Sequence, residues 1–145
     1  MRLSTKGRYA VMALADLARR DCDAVRAVAL AEIAERQQIS LSYLEQLFAR
    51  LRRKGLVQSA RGPGGGYRLV RPAAETSIAE IVLAVDEPLR VTRCAEQGKG
   101  CMLKGERCLT HDLWEDLGHQ IEDYLASVSL ADVINGRLGG ARKAA

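Results

Sequence analysis

The sequence predicts a mainly α-helical chain with a small β-hairpin, and three observations point that way. Apolar residues recur at helical spacing in three successive stretches of the first 55 residues, a glycine-rich turn between two strand-like runs follows, and a long apolar seam lies near the C-terminus. The 145 residues, 48% apolar and 28% charged, suit one compact domain or two small subdomains. No run approaches the roughly 18 uncharged apolar residues of a membrane span. The chain is too short for a Rossmann enzyme, a TIM barrel or a kinase, and it carries none of their motifs.

The first helix is expected from Ala10, Ala13, Leu14 and Leu17, at i, i+3, i+4, i+7, and the loop from Asp21 to Arg26 ends it. Arg2, Lys6 and Arg8 precede only seven apolar positions, Tyr9 to Ala15, before Asp16 interrupts. That pattern fits an amphipathic helix better than a secretory signal, and a cytoplasmic protein is expected. A second helix carries Leu30, Ile33 and Ala34. Gln37 to Ser40 connects it tightly to a third, striped by Leu44, Leu47, Phe48 and Leu51 and stopped at Gly55. Two short helices joined by a tight turn suggest a helix-turn-helix.

After Gly55 the period changes. Leu56-Val57 and Tyr67 to Val70 flank Arg61-Gly62-Pro63-Gly64-Gly65-Gly66, which together form a wing. These glycines are no phosphate loop, since neither Lys-Ser nor Lys-Thr follows and no helix begins there. Pro72 marks a boundary, Ile78 to Val85 forms a short helix, and a glycine- and charge-rich segment from Arg93 to Arg107 holds three cysteines. Trp114, Leu117, Ile121, Tyr124 and Val128 then repeat at spacings of 3, 4, 3 and 4, a heptad-like seam that suits pairing with a second copy of the chain. The expected organisation is a winged helix-turn-helix DNA-binding domain over 1–72, a connecting helix and linker over 73–93, a cluster-binding loop over 94–111, a dimerisation helix and short C-terminal helix over 112–135, and a flexible tail over 136–145.

Charge is distributed unevenly. The formal net charge is +4, but residues 1–72 carry fourteen basic and six acidic side chains, +8, while residues 73–145 carry eight and twelve, −4. A basic first half suits a polyanion. Opposite its apolar stripe, the third helix offers Ser42, Glu45, Gln46, Arg50 and Arg53. In a major groove Gln pairs with adenine, Arg with guanine, and Glu accepts from cytosine N4. Lys6, Arg8, Arg52 and Lys54 would contact phosphates. Arg61 at the wing tip suits a narrow minor groove. The plainer alternatives are a capping box between Ser42 and Glu45 and solvated arginines.

Cys94, Cys101, Cys108 and His111 form C-x6-C-x6-C-x2-H, and three thiolates with an imidazole can complete a four-ligand site. A zinc site normally shows closer cysteine pairs, so the spacing favours a larger cluster, with zinc and a disulfide switch as alternatives. Cys22, between Asp21 and Asp23, is disfavoured as a thiolate.

Four stretches carry a family resemblance: Thr5-Lys6-Gly7-Arg8-Tyr9-Ala10-Val11, Ile39-Ser40-Leu41-Ser42-Tyr43-Leu44-Glu45-Gln46-Leu47-Phe48, Arg61-Gly62-Pro63-Gly64-Gly65-Gly66-Tyr67 and Cys108-Leu109-Thr110-His111-Asp112-Leu113-Trp114. The chain from Met1 to about residue 135 resembles the winged-helix family of iron-sulfur and redox-sensing bacterial regulators, and within it the regulators of iron-sulfur cluster assembly. The resemblance implies a homodimer that binds double-stranded promoter DNA, with Tyr43 among the DNA-binding residues. It also implies one [2Fe-2S] cluster per subunit on Cys94, Cys101, Cys108 and His111, received from the cluster-assembly machinery, and control of cluster-biogenesis genes. In the family it resembles, the glutamate matching Glu45 helps cluster-free protein ignore one promoter class, which the resemblance implies for Glu45. A related nitric-oxide-sensing branch has a carboxylate in place of the histidine and is the alternative within the family. No membrane association is expected. An electron carrier would need neither wing nor basic helix, and an enzyme would need an acid-base pocket absent from this sequence.

Overall fold

The computed structural model describes residues 4–21, 26–85, 102 and 104–138. Among them are six α-helices and one β-hairpin: α1 (Thr5–Asp21), α2 (Leu30–Gln37), α3 (Leu41–Arg53), β1 (Val57–Ala60), β2 (Gly66–Leu69), α4 (Ile78–Val85), α5 (His111–Ser127) and α6 (Leu130–Ile134). A single 3-10 turn, Ala73–Glu75, follows Pro72. The mainly helical winged helix-turn-helix expected from the sequence is the observed architecture.

The stripe of α1 is fully buried at Ala10, Ala13, Leu14 and Leu17, where it meets Ile33, Leu44, Leu47, Phe48 and Leu51 of α2 and α3. Gln38 ends α2 in the left-handed region at φ 55°, and its N–H donates to Ala34 O. This residue turns the chain, and Ser40 then starts α3 by accepting from the Tyr43 N–H at 3.4 Å. Helix α3 therefore begins two residues earlier than a Ser42–Glu45 capping box requires, and that box is not formed. Gly55, at φ 74°, stops α3 as expected.

The wing pairs β1 with β2 in antiparallel register, Val57 opposite Leu69 and Ala60 opposite Gly66. Val28 joins the outer edge of β2 near the wing turn by exchanging both main-chain hydrogen bonds with Tyr67, at 3.0 and 2.8 Å. Gly66 permits this approach: at φ 155°, a Cβ there would lie 2.2 Å from Val28 O. Phe48 of α3 meets the Tyr67 ring edge to face at 5.0 Å, which fixes the wing to the helix before it.

The core continues past residue 72. Ile78, Ile81, Val82 and Val85 of α4 and Leu130 of α6 are buried in the cluster that holds α1 and α3. Helix α4 is anchored at its start to the α5–α6 junction, where Ile78 N–H donates to Val128 O at 2.9 Å and Leu130 N–H to Thr76 O at 2.8 Å. Among the described residues, no helix is long and apolar enough to cross a membrane.

Candidate nucleic-acid interface and metal-ligand turn

Helix geometry sorts the polar positions of α3. At about 100° per residue, the direction opposite Leu44, Leu47, Phe48 and Leu51 is occupied by Ser42, Gln46, Ala49 and Arg53. All four are exposed and form the outermost ridge. Glu45 lies on one flank, exposed beside Arg52, while Tyr43 and Arg50 lie on the other.

The second flank is engaged within the chain. Tyr43 is half-buried, with its ring edge to face with Tyr9 of α1 at 5.9 Å, and this contact sets α3 against the start of α1. Arg50 Nη1 donates to Val85 O, the last carbonyl of α4, at 2.8 Å. Arg50 was expected from the sequence to read bases alongside Gln46 and Arg53; the structure draws it sideways onto α4, because α4 ends beside the last turns of α3. Arg53 stays on the outer ridge, its Nε 3.4 Å from its own helix at Ala49 O.

Lys6 and Arg8 are exposed in the first turn of α1, where Ser4 Oγ accepts from Gly7 N–H at 3.3 Å. Through the Tyr9–Tyr43 contact this turn neighbours the N-terminal end of α3. Arg61 is exposed at the wing, and Arg52 and Lys54 are exposed at the end of α3. Arg26 was missed from the sequence: its stem lies 3.8 Å from where a Cβ of Gly64 would stand, and its Nη2 pairs with Glu32 at 3.1 Å. No local motif marks it, since the contact depends on the wing folding back over the start of α2.

Behind this surface, Asp16 of α1 holds the end of α2. Arg36 donates to both of its oxygens, at 3.1, 3.0 and 2.6 Å, and Gln37 Nε2 donates at 2.7 Å. Burial raises the Asp16 pKa, but hydrogen bonds from Arg36 and Gln37 and the charges of Arg36 and Arg20 overcome it, so the carboxyl titrates below its ordinary value.

Of the expected metal ligands, Cys108 and His111 are described, while Cys94 and Cys101, like Cys22, lie outside the described residues. Cys108 is a half-buried free thiol. His111 opens α5, its N–H donating to Cys108 O at 3.1 Å, and is only 5% exposed. Thiol and imidazole thus issue from one turn. Thr110 Oγ1 lies 3.7 Å from Cys108 Sγ and accepts from Trp114 Nε1 at 3.2 Å. His111 Nε2 lies 3.8 Å from Glu115 Oε2, and the ligand atoms of His111, Asp112 and Glu115 fall within 4.8 Å of one another. One imidazole with two exposed carboxylates is a hard donor set unlike that of a cluster; thiolate with imidazole, as at Cys108 and His111, fits one.

The seam expected on α5 is divided. Trp114 and Tyr124 are 39% and 54% exposed, and Leu113, off the expected list, is 60% exposed. Leu117 and Ile121 are half-buried, and Val128 packs against the intramolecular core.

Comparison with known proteins accords with this arrangement. Residues 3–136 match the Rrf2 model, described as an iron-dependent transcriptional regulator. The HTH-type transcriptional regulator IscR of Photorhabdus laumondii is 54% identical over 135 residues, 93% of this chain and 80% of the relative. The protein of that name from Serratia proteamaculans is 53% identical over 135 residues, with the same shares covered. Among solved structures, T. potens IscR is 36% identical with a TM-score of 0.76, covering 94% of this chain and 88% of that one. CymR, the global cysteine regulator of B. subtilis, is 29% identical with a TM-score of 0.77, covering 93% and 97%. These relatives are named regulators, not enzymes. The chain belongs to the Rrf2 family of winged-helix transcription regulators.

Proposed function

We propose that this regulator reports iron-sulfur status to promoters: a cytoplasmic homodimer that binds double-stranded DNA, holds one [2Fe-2S] cluster per subunit on Cys94, Cys101, Cys108 and His111, and controls cluster-biogenesis genes. The observation that carries the reading is the turn into α5, where a free thiol and a buried imidazole three residues apart issue together. The IscR names of the relatives support it. His111 also favours this reading over the nitric-oxide-sensing branch, which has a carboxylate there.

When bound, the cluster supplies a redox-active, oxygen-labile group whose presence follows the supply of iron and sulfide. The chain does the rest. Ser42, Gln46 and Arg53 present hydrogen-bonding groups to base edges, Lys6 and Arg8 contact phosphates, and Arg61 enters the minor groove. Leu113, Trp114 and Tyr124 offer the apolar face on which a second subunit supplies the second recognition helix. The test is anaerobic purification followed by visible absorption and an iron, sulfide and zinc count. Two irons and two sulfides per chain, lost in Cys108→Ala, are expected. A colourless protein with one zinc per chain overturns the reading.

A further inference from the structure

Helix α4 is held at both ends. At its first residue, Ile78 N–H donates to Val128 O at the end of α5, and the preceding Thr76 O accepts from Leu130 N–H at the start of α6. At its last residue, Val85 O accepts from Arg50 Nη1 of α3 at 2.8 Å. The helix between is eight residues with Ile78, Ile81, Val82 and Val85 all buried, so it is seated as a packed strut and not as a loose connector. At its far end, α5 begins with His111. One run of described structure therefore leads from the metal-ligand turn, through α5 and α4, to the helix that faces DNA.

Arg50 is the polar link in that run. A guanidinium hydrogen-bonded to the final carbonyl of a helix gains from the negative end of the helix dipole as well as from the bond itself. It leaves α3 from the flank beside α4, off the ridge of Ser42, Gln46 and Arg53. We propose that Arg50 is a positioning residue: it locks α3 to the end of α4 and so makes the seating of the reading ridge on DNA follow displacements of α4 and α5. The first half of this inference rests on geometry alone. The second, that the displacement follows the state of the His111 turn, rests on the function proposed above.

The two halves separate experimentally. The full chain is compared with Arg50→Met, which keeps the stem and removes the donor, with Arg50→Lys, which restores one, and with Arg53→Met. The probe is a duplex selected from random-sequence DNA by the wild-type protein. In cluster-free protein, Arg50→Met is expected to speed amide exchange in the last turn of α4 by about tenfold or more, and Arg50→Lys to reverse most of that. The slope of log affinity against log salt should be unchanged in Arg50→Met but shallower by about one unit in Arg53→Met if Arg53 meets a phosphate. In cluster-loaded protein, Arg50→Met should bring the ratio of loaded to cluster-free affinity close to one while Arg50→Lys keeps it. Unchanged exchange in α4, or a shallower salt slope in Arg50→Met, overturns the positioning role and makes Arg50 a DNA contact. An undiminished affinity ratio in Arg50→Met overturns the transmission step. A wild-type chain that takes up no iron or sulfide overturns the proposed function and the transmission step together, while exchange and salt slope still decide the positioning role.

Discussion

Glu45 is the one carboxylate on α3, and the structure removes its simplest explanation. With Ser40 capping the helix, Glu45 lies beyond the capping position and is exposed on the flank of the reading ridge beside Arg52. A carboxylate at a groove is repelled by phosphates and pairs only with a cytosine N4 donor, so it rejects sites lacking that donor. Glu45→Ala is expected to let cluster-free protein bind such sites more tightly, by about 1 to 3 kcal/mol, with thermal stability unchanged. Titrating both proteins against duplexes with and without the cytosine decides it: equal weakening at every site sinks the discriminating role. The outward positions of Gln46 and Arg53 were legible in the sequence, because a 3.6-residue period fixes the direction away from the core. The roles of Arg50 and Tyr43 were not. Both sit on a flank, and what a flanking side chain engages depends on elements distant in sequence: for Arg50 the last carbonyl of α4, 35 residues on, and for Tyr43 the ring of Tyr9 in α1.

At the scale of elements, the same division holds between what repeats and what does not. Helices α1, α2 and α3 were readable from apolar periodicity, and Gly55 from its place after the last apolar turn. The Val28–Tyr67 bridge is a single residue pair with no period, and the reciprocal caps at Ser77–Glu80 and Ser129–Asp132 were overlooked although both start helices with a serine three residues before an acid. The bridge sets a demand on Gly66, whose missing Cβ leaves room for Val28 O. Gly66→Ala should destabilise the fold by about 3 kcal/mol, at the upper end of ordinary single substitutions, and loosen the wing. A thermal melt within a degree of wild type contradicts this. The α1–α2 angle depends likewise on Asp16, whose depressed pKa ties stability to pH. An unfolded carboxyl titrates near about 3.9. The stabilisation is therefore fully present above that value and is lost as pH falls through the lower folded value. Asp16→Asn should lose roughly 3 kcal/mol at neutral pH, the low end for opening a buried pair because Arg36 retains some solvent contact. The gap to wild type should narrow below about pH 4. Urea titrations at pH 7 and pH 3 test this, and a gap of equal size at both contradicts it.

On the whole-molecule scale, one core spans the expected boundary at residue 72, so the winged helix-turn-helix and the elements that follow it are packed as neighbours and not strung on a linker. What that core leaves uncovered is one face of α5. Leu113 and Tyr124 are eleven residues apart, three turns, and so point the same way; Val128 on the expected seam turns inward instead, because its carbonyl and side chain meet α4 and the core. In the proposed dimer, replacing the exposed pair would remove apolar contact between subunits without opening the monomer, whereas replacing half-buried Leu117 or Ile121 would disturb both. Leu113→Asp with Tyr124→Asp is expected to sediment as a monomer with an unchanged circular dichroism spectrum. Affinity for a two-half-site duplex should then fall steeply, and the slope of log affinity against log salt should drop to about half, since in the proposed dimer each subunit would contribute its own Lys6, Arg8 and wing contacts and counterion release counts phosphates. A variant that stays dimeric moves the interface off this face. A monomer whose salt slope equals that of wild type means that one subunit already makes all the phosphate contacts, and that the second helix adds none.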